Sequence, residues 1–203
     1  MIAGAIAGVA RLVSGARALW VEPPVTRQRV YFANHTSHLD FAVIWSSLPG
    51  DLRKRTRPVA GADYWNRGAI RRYLASRVFN AILVERSGGT SSPDRANLAI
   101  EAIAAGMGHD CSIIVFPEGT RSLDGKLLPF KSGLYHLCRL KPGLELVPVY
   151  LANMNRILPK GEALPVPLMG RVVFGTPIRM QPGEEKGAFL TRARDALLAL
   201  SER

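Results

Sequence analysis

Residues 29–48 read RVYFANHTSHLDFAVIWSSL, and this stretch decides the fold. Arg29–Ala33 is a short strand-like run, residues 34–40 are a polar cluster, and 41–48 has the composition of a helix. The same alternation continues in both directions. Apolar strand runs are expected at 58–62, 81–84, 112–116, 144–151 and 171–174, with helical spacing at 64–77, 131–140 and 184–200. Ser92-Pro93-Asp94 reads as a helix start, a cap residue followed by proline in the first turn. That helix is expected to bury Leu98, Ala99 and Ile103 and to stop near Gly106 and Gly108. Short apolar strands alternating with helices predict an α/β protein: one domain, with a mostly parallel or mixed central sheet covered by helices. The loop-rich stretch 159–167 is too short for a domain linker.

The 203 residues suffice for one well-buried core. With 47% hydrophobic and 21% charged residues, the chain is neither disordered nor a multi-span membrane protein. Lys and Arg number 27 against 16 Asp and Glu, a net charge of +11, which points to a negatively charged partner. Cys111 and Cys138 lack metal-type spacing and make no disulfide framework, so a reducing compartment fits.

The N-terminus is apolar from Met1 to Ala10 and then meets Arg11 and Arg17, too short a run to span a bilayer. No small-residue cleavage site precedes a polar start, so a signal peptide is not expected. As a helix, Ile2, Ile6, Val9, Val13, Ala16 and Trp20 share one broad face. Such a helix can lie in a membrane interface or pack on the domain, and both readings stand. The expected division is an N-terminal amphipathic helix over 1–22 and the remaining domain over 23–203, with Pro23-Pro24 as the break.

Two polar clusters, each directly after a strand, carry the chemistry. In the first, His35 and Asp40 are five residues apart. On a continuous helix they would diverge by about 140°, so they meet only if the segment bends. If they meet, Asp40 fixes the imidazole tautomer and the other ring nitrogen becomes a general base. Otherwise His35 is a satisfied core side chain and Asp40 a helix cap. His38 is a second base or ligand, or a capping residue. The second cluster is 116–122, FPEGTRS, where Gly119 permits a tight turn. Exposed amides, Arg121 and the hydroxyls of Thr120 and Ser122 could there grip a phosphate.

Together these clusters resemble one family, the glycerophosphate and lysophosphatidate acyltransferases with an H-x4-D motif. Residues 35–40 match its first block and 116–122 its third, letter for letter; 82–86 is similar to the second, 146–149 to the fourth, and 130–133 to the lysine segment after the third. Asn80-Ala81 stands where the second block usually begins with glycine, and 59–63 lacks a lysine that many members carry. The resemblance implies a glycerophosphate acyltransferase-like fold and transfer of a fatty acyl group from acyl-CoA or acyl carrier protein to a lysophosphatidate hydroxyl. Another lysophospholipid or a glycolipid is the alternative acceptor. It implies His35 as base, Asp40 as its partner, and acceptor binding by Glu118, Gly119, Thr120 and Arg121, with Arg86 and Lys131 adding charge. A carboxylate does not attract phosphate, so Glu118 would touch a hydroxyl or pair with an arginine. Neither cofactor nor metal is implied. The expected location is the cytoplasmic face of the membrane, held peripherally.

Competing classes fit less well. A metallo-hydrolase using His35, His38 and Asp40 needs further ligands, and only two other histidines exist. The basic stretch Arg53, Lys54, Arg55, Arg57, Arg67, Arg71, Arg72 and Arg77 has no nucleic-acid signature, and no nucleic-acid partner is expected. It is either a solvated face or an attractor of anionic headgroups.

Overall fold

Strand β2 (Arg29–Ala33) is buried along its whole length, as a strand with helices on both faces must be. Its side chains alternate. Tyr31 and Ala33 enter one apolar cluster, Val30 and Phe32 the other. The computed structural model describes residues 2–37, 39–85, 93–122, 124–153 and 170–202. Around β2 lie β1 (Arg17–Trp20), β3 (Thr56–Gly61), β4 (Ile82–Val84), β5 (Ser112–Val115), β6 (Glu145–Ala152) and β7 (Arg171–Phe174). They form one sheet in the order β1-β7-β6-β2-β5-β3-β4. All neighbours are parallel except β6 and β7. The expected mixed sheet is therefore present.

Helices α1 (Ile2–Ser14) and α2 (Asp40–Ser47) cover one face through Ala7, Val43, Ile44 and Trp45. Helices α6 (Pro93–Met107), α7 (Gly133–Leu140) and α8 (Lys186–Leu198) cover the other through Ile103, Leu134, Leu137 and Phe189. Short helices α3 (Gly50–Lys54), α4 (Ala62–Trp65) and α5 (Ala69–Tyr73) complete the connections. Pro148 sits inside β6, where proline is rarely tolerated. Its carbonyl accepts from Gly175, one residue past β7, so its missing N–H faces the side where β7 pairing has ended.

Four expectations are corrected. The N-terminal helix ends at Ser14, because Gly15 takes a left-handed φ of 53° and closes it. Residues 17–20 are then an edge strand, held in register with β7 and anchored by Trp20 stacking on Phe174 at 3.8 Å. The sheet thus begins inside the segment expected to be a separate helix over 1–22. Within 64–77 there is no single helix: Gly68, at φ 89°, separates α4 from α5, and Leu74–Val78 forms a π-helical turn. Leu98 is exposed at 63%, while α6 buries Ile103, as expected, together with Met107. The basic stretch is also not one face. Arg57 donates to the carbonyls of Asn80 and Gly106 at 2.6 Å each, and Arg53 lies over the Trp45 ring at 5.4 Å. Those two hold the fold together. The cap at Ser92 and the stretch 159–167 lie outside the described residues.

Candidate active site

The parallel strands β2, β5, β3 and β4 are neighbours, and all four end at the same edge of the sheet. Ligand sites of α/β proteins gather at such carboxyl ends. His35 follows β2, the 116–122 loop follows β5, Gly61 closes β3 and Glu85 follows β4.

The bend required of His35 and Asp40 exists. Helix α2 begins only at Asp40, and residues 34–37 fold back over its carboxylate. Asp40 Oδ2 accepts the amides of Thr36 at 2.7 Å and Ser37 at 2.8 Å, and faces His35 Nδ1 at 2.8 Å. A carboxylate that only accepts assigns the proton to Nδ1, leaving Nε2 for the substrate. Asp40 is fully buried, while the His35 side chain keeps 16% exposure. Asp40 therefore both shapes the loop and orients the histidine; the two readings of it are one structure. Asn34 fastens the loop to β6 by exchanging hydrogen bonds with the Leu151 backbone at 2.9 and 2.8 Å. Phe116 stacks on the imidazole, centroids 4.0 Å apart.

The second cluster locks onto the first. Ser122 N–H donates to the His35 carbonyl at 2.8 Å, and His35 N–H donates to Glu118 Oε1 at 2.7 Å. The other Glu118 oxygen accepts from Leu128 N–H at 2.8 Å. Glu118 is 2% exposed, so it touches neither hydroxyl nor arginine among the described residues; it braces two loops. Burial raises its pKa above the ordinary carboxyl value, against the lowering by its two amide donors.

Gly119 adopts φ 69°, and a Cβ there would stand 2.9 Å from Lys131 Cδ, Cε and Nζ. The lysine side chain thus lies directly over the turn. Gly119→Ala should cost about 1–2 kcal/mol from the left-handed backbone alone and push Lys131 aside. Urea denaturation should read the first effect, and a raised KM for an anionic substrate, matching that of Lys131→Ala, the second. An unchanged KM would separate Lys131 from the substrate.

Behind His35 opens a cavity of about 490 Å³, within the usual range of small-molecule sites. Gly119 and Lys131 line it beside His35, and its walls include Val59, Val84, Ile103, Val115, Leu134 and Leu137. Thr120 is exposed and Arg121 half-buried, and neither is among the lining residues. Among the described residues Arg121 Nη1 is sealed from solvent without a hydrogen-bond partner. Arg86 and His38 lie outside the described residues. Among the described residues no group of three or more His, Cys, Asp or Glu could hold a metal. Cys138 is buried, its thiol pushed up to about 12 by desolvation. Sequence reasoning missed Phe116 as the ring under the base, and the small residues Ala60 and Gly61 as cavity wall. The available signal was their place at strand ends.

A histidine whose Nδ1 is tied to Asp40 thus stands at the carboxyl edge of a mostly parallel sheet, beside an apolar cavity. The chain belongs to the acyltransferase family, whose model matches residues 21–152. It is 32% identical over 145 residues to 1-acyl-sn-glycerol-3-phosphate acyltransferase of Limnanthes douglasii, covering 70% of this chain and 48% of that protein. Against 1-acyl-sn-glycerol-3-phosphate acyltransferase alpha of Homo sapiens it is 29% identical over 139 residues, 68% of this chain and 46% of the human one. The chain spans about half the length of these curated relatives. The crystal structure of the 1-acyl-sn-glycerophosphate acyltransferase PlsC from Thermotoga maritima superposes with a TM-score of 0.74 at 20% identity. That match covers 99% of this chain and 78% of the other, and establishes the shared fold.

Proposed function

We propose that the protein moves a fatty acyl group from an acyl thioester, acyl-CoA or acyl carrier protein, to the free hydroxyl of a lysophosphatidate-like acceptor. It would do so as a peripheral protein on the cytoplasmic face of a membrane. The observation that carries this reading is the pairing of a base whose Nδ1 is tied to Asp40 with an apolar cavity opening beside it. The relatives' activity supports the same reaction.

In the reaction, the acceptor oxygen attacks the thioester carbonyl carbon while His35 Nε2 takes its proton. The resulting imidazolium is stabilised by Asp40 through Nδ1–H. Collapse of the tetrahedral intermediate breaks the C–S bond, and the departing thiolate recovers the proton from Nε2. No acyl-enzyme is needed, because the acceptor is itself the nucleophile. The acyl chain occupies the apolar cavity, which removes its surface from water. Arg121, in the FPEGTRS loop, would pair with the acceptor's phosphate through a charge-assisted guanidinium contact. Lys131 adds charge at the mouth. No helix among the described residues is long and apolar enough to cross a membrane. The exposed Val9 and Leu12 of α1 support interfacial attachment instead.

The test is turnover of purified protein with a panel of thioesters and acceptors, products identified by mass spectrometry. Arg121→Lys should lower kcat/KM for the phosphorylated acceptor about ten- to a hundredfold through its KM, because lysine cannot reproduce a bidentate pair. The donor's KM should hardly change. Equal losses on phosphorylated and dephosphorylated acceptors would remove Arg121 from the phosphate site. No transfer to any lysophospholipid would overturn the reading.

A further inference from the structure

Helix α5 buries none of its residues. Residues 66–73 are exposed without interruption, and among them Ile70 is 76% and Tyr73 48% exposed. So short a helix is not stable through its own hydrogen bonds, and helices in proteins owe their stability to a covered face. Among the described residues, no element covers these apolar side chains. Around them stand Arg67, Arg71, Arg72 and Arg77, and residues 66–78 contain no Asp or Glu. None of these four arginines bonds to a carboxylate among the described residues. Arg71 lies over the Tyr64 ring at 4.3 Å, which keeps the guanidinium at the surface. An apolar pair set among four unneutralised arginines matches the boundary between acyl chains and anionic headgroups.

The position of this surface has a second consequence. Gly61, at the end of β3, lines the cavity, and α4 follows it directly. Trp65 of α4 packs edge-on against Phe41, the residue after Asp40, at 5.6 Å, and Phe41 packs against Phe79 at 4.9 Å. A rigid aromatic cluster thus joins the α4–α5 surface to the loop that holds His35.

We propose that the surface formed by Ile70, Tyr73, Arg67, Arg71 and Arg72 docks on an anionic bilayer beside the cavity mouth, so that lipid reaches His35 from the membrane. The role in delivering substrate rests on the acyl-transfer reading; the docking itself does not. Sedimentation with vesicles of phosphatidylcholine and phosphatidylglycerol, 4:1, tests docking without turnover. Replacing Arg71 and Arg72 with glutamine should weaken partitioning about fivefold per arginine. The pair Ile70→Ser and Tyr73→Ser should weaken it about tenfold or more. Leu98→Ser in α6, exposed at 63% on the other side of the sheet, should change it less than twofold, and Leu12→Ser in α1 should cost less than the α5 pair. Because α5 buries nothing, these variants should melt with the wild type.

A second arm uses a short-chain lysophosphatidate dissolved as monomer. There the α5 variants should keep wild-type kcat/KM, while KM for acceptor presented in vesicles rises about tenfold. Absent vesicle binding by the wild type, or loss on Leu12→Ser with none on the α5 variants, overturns the proposal. So do equal losses with dissolved and vesicle-borne acceptor. Selective loss with an acyl carrier protein donor, with vesicle binding intact, would make the face a protein-docking site and also overturn it. Vesicle binding that depends on α5 without any acyl transfer would instead refute the proposed reaction and leave the surface standing.

Discussion

His35→Ala lowers acyl transfer by about 10²–10⁴-fold, the usual contribution of a positioned base, and leaves the fold intact. Among the described residues its imidazole faces the Asp40 carboxylate and stacks on Phe116, and both are anchored independently. Asp40 still accepts the Thr36 and Ser37 amides, and the His35 backbone still bonds to Glu118 and Ser122. The loss therefore falls on kcat rather than on thermal stability. Asp40→Asn is milder, because the amide oxygen can still receive Nδ1–H while the charge that stabilises the imidazolium is gone. Asp40→Ala removes the acceptor for three donors and disturbs the loop as well. Single-turnover kinetics with a saturating acyl donor, alongside thermal melts, separates these outcomes. Wild-type turnover in His35→Ala would end the general-base assignment.

Glu145→Ala produces the largest loss of stability. Glu145 opens β6 directly opposite Arg29, which opens β2. Its carboxylate accepts from Arg29 at 2.8 Å, Arg27 at 3.1 Å and Arg179 at 2.5 Å. Arg29 is 7% exposed, so removing the carboxylate leaves a buried guanidinium without a counter-charge. Breaking such a pair costs about 3–5 kcal/mol, or roughly 6–20 °C in Tm at this chain length. Glu145→Gln keeps acceptor geometry without charge and falls between. Burial pushes the Glu145 carboxyl up, but its hydrogen bonds from Arg29, Arg179 and Arg27 outweigh this and hold it below the usual range. Its stabilisation is therefore present above the unfolded carboxyl pKa and is lost as pH falls through the depressed folded one. In acid the gap between variant and wild type should narrow. The network lies at the edge opposite His35, so turnover per folded molecule stays unchanged. A loss under about 1 kcal/mol would mean that Arg29 reaches solvent on its own.

The strands at 82–84, 112–115 and 171–174 were legible because parallel strands covered on both faces are nearly unbroken apolar runs, and the sequence writes such runs directly. The site was legible for a different reason. His35, Asp40 and the FPEGTRS loop are local segments whose spacing can be read without knowing what packs on them. Strand β1 was not legible, since RALW also continues the apolar face of α1; only pairing with β7 and the stack of Trp20 on Phe174 made it a strand. Leu98 followed the helical period, yet among the described residues no element covers that side of α6. The role of Glu118 depended on two amides, His35 N–H from 83 residues away and Leu128 N–H from ten, that converge on a buried carboxylate. Sequence alone thus determined the alternation of elements and the chemistry at two strand ends, because both are short-range properties of the chain. Only the tertiary structure decided which side chains face the cavity, which arginines are spent on backbone carbonyls, and which helix was left uncovered. Those depend on which distant segments come to lie side by side, which no local period records.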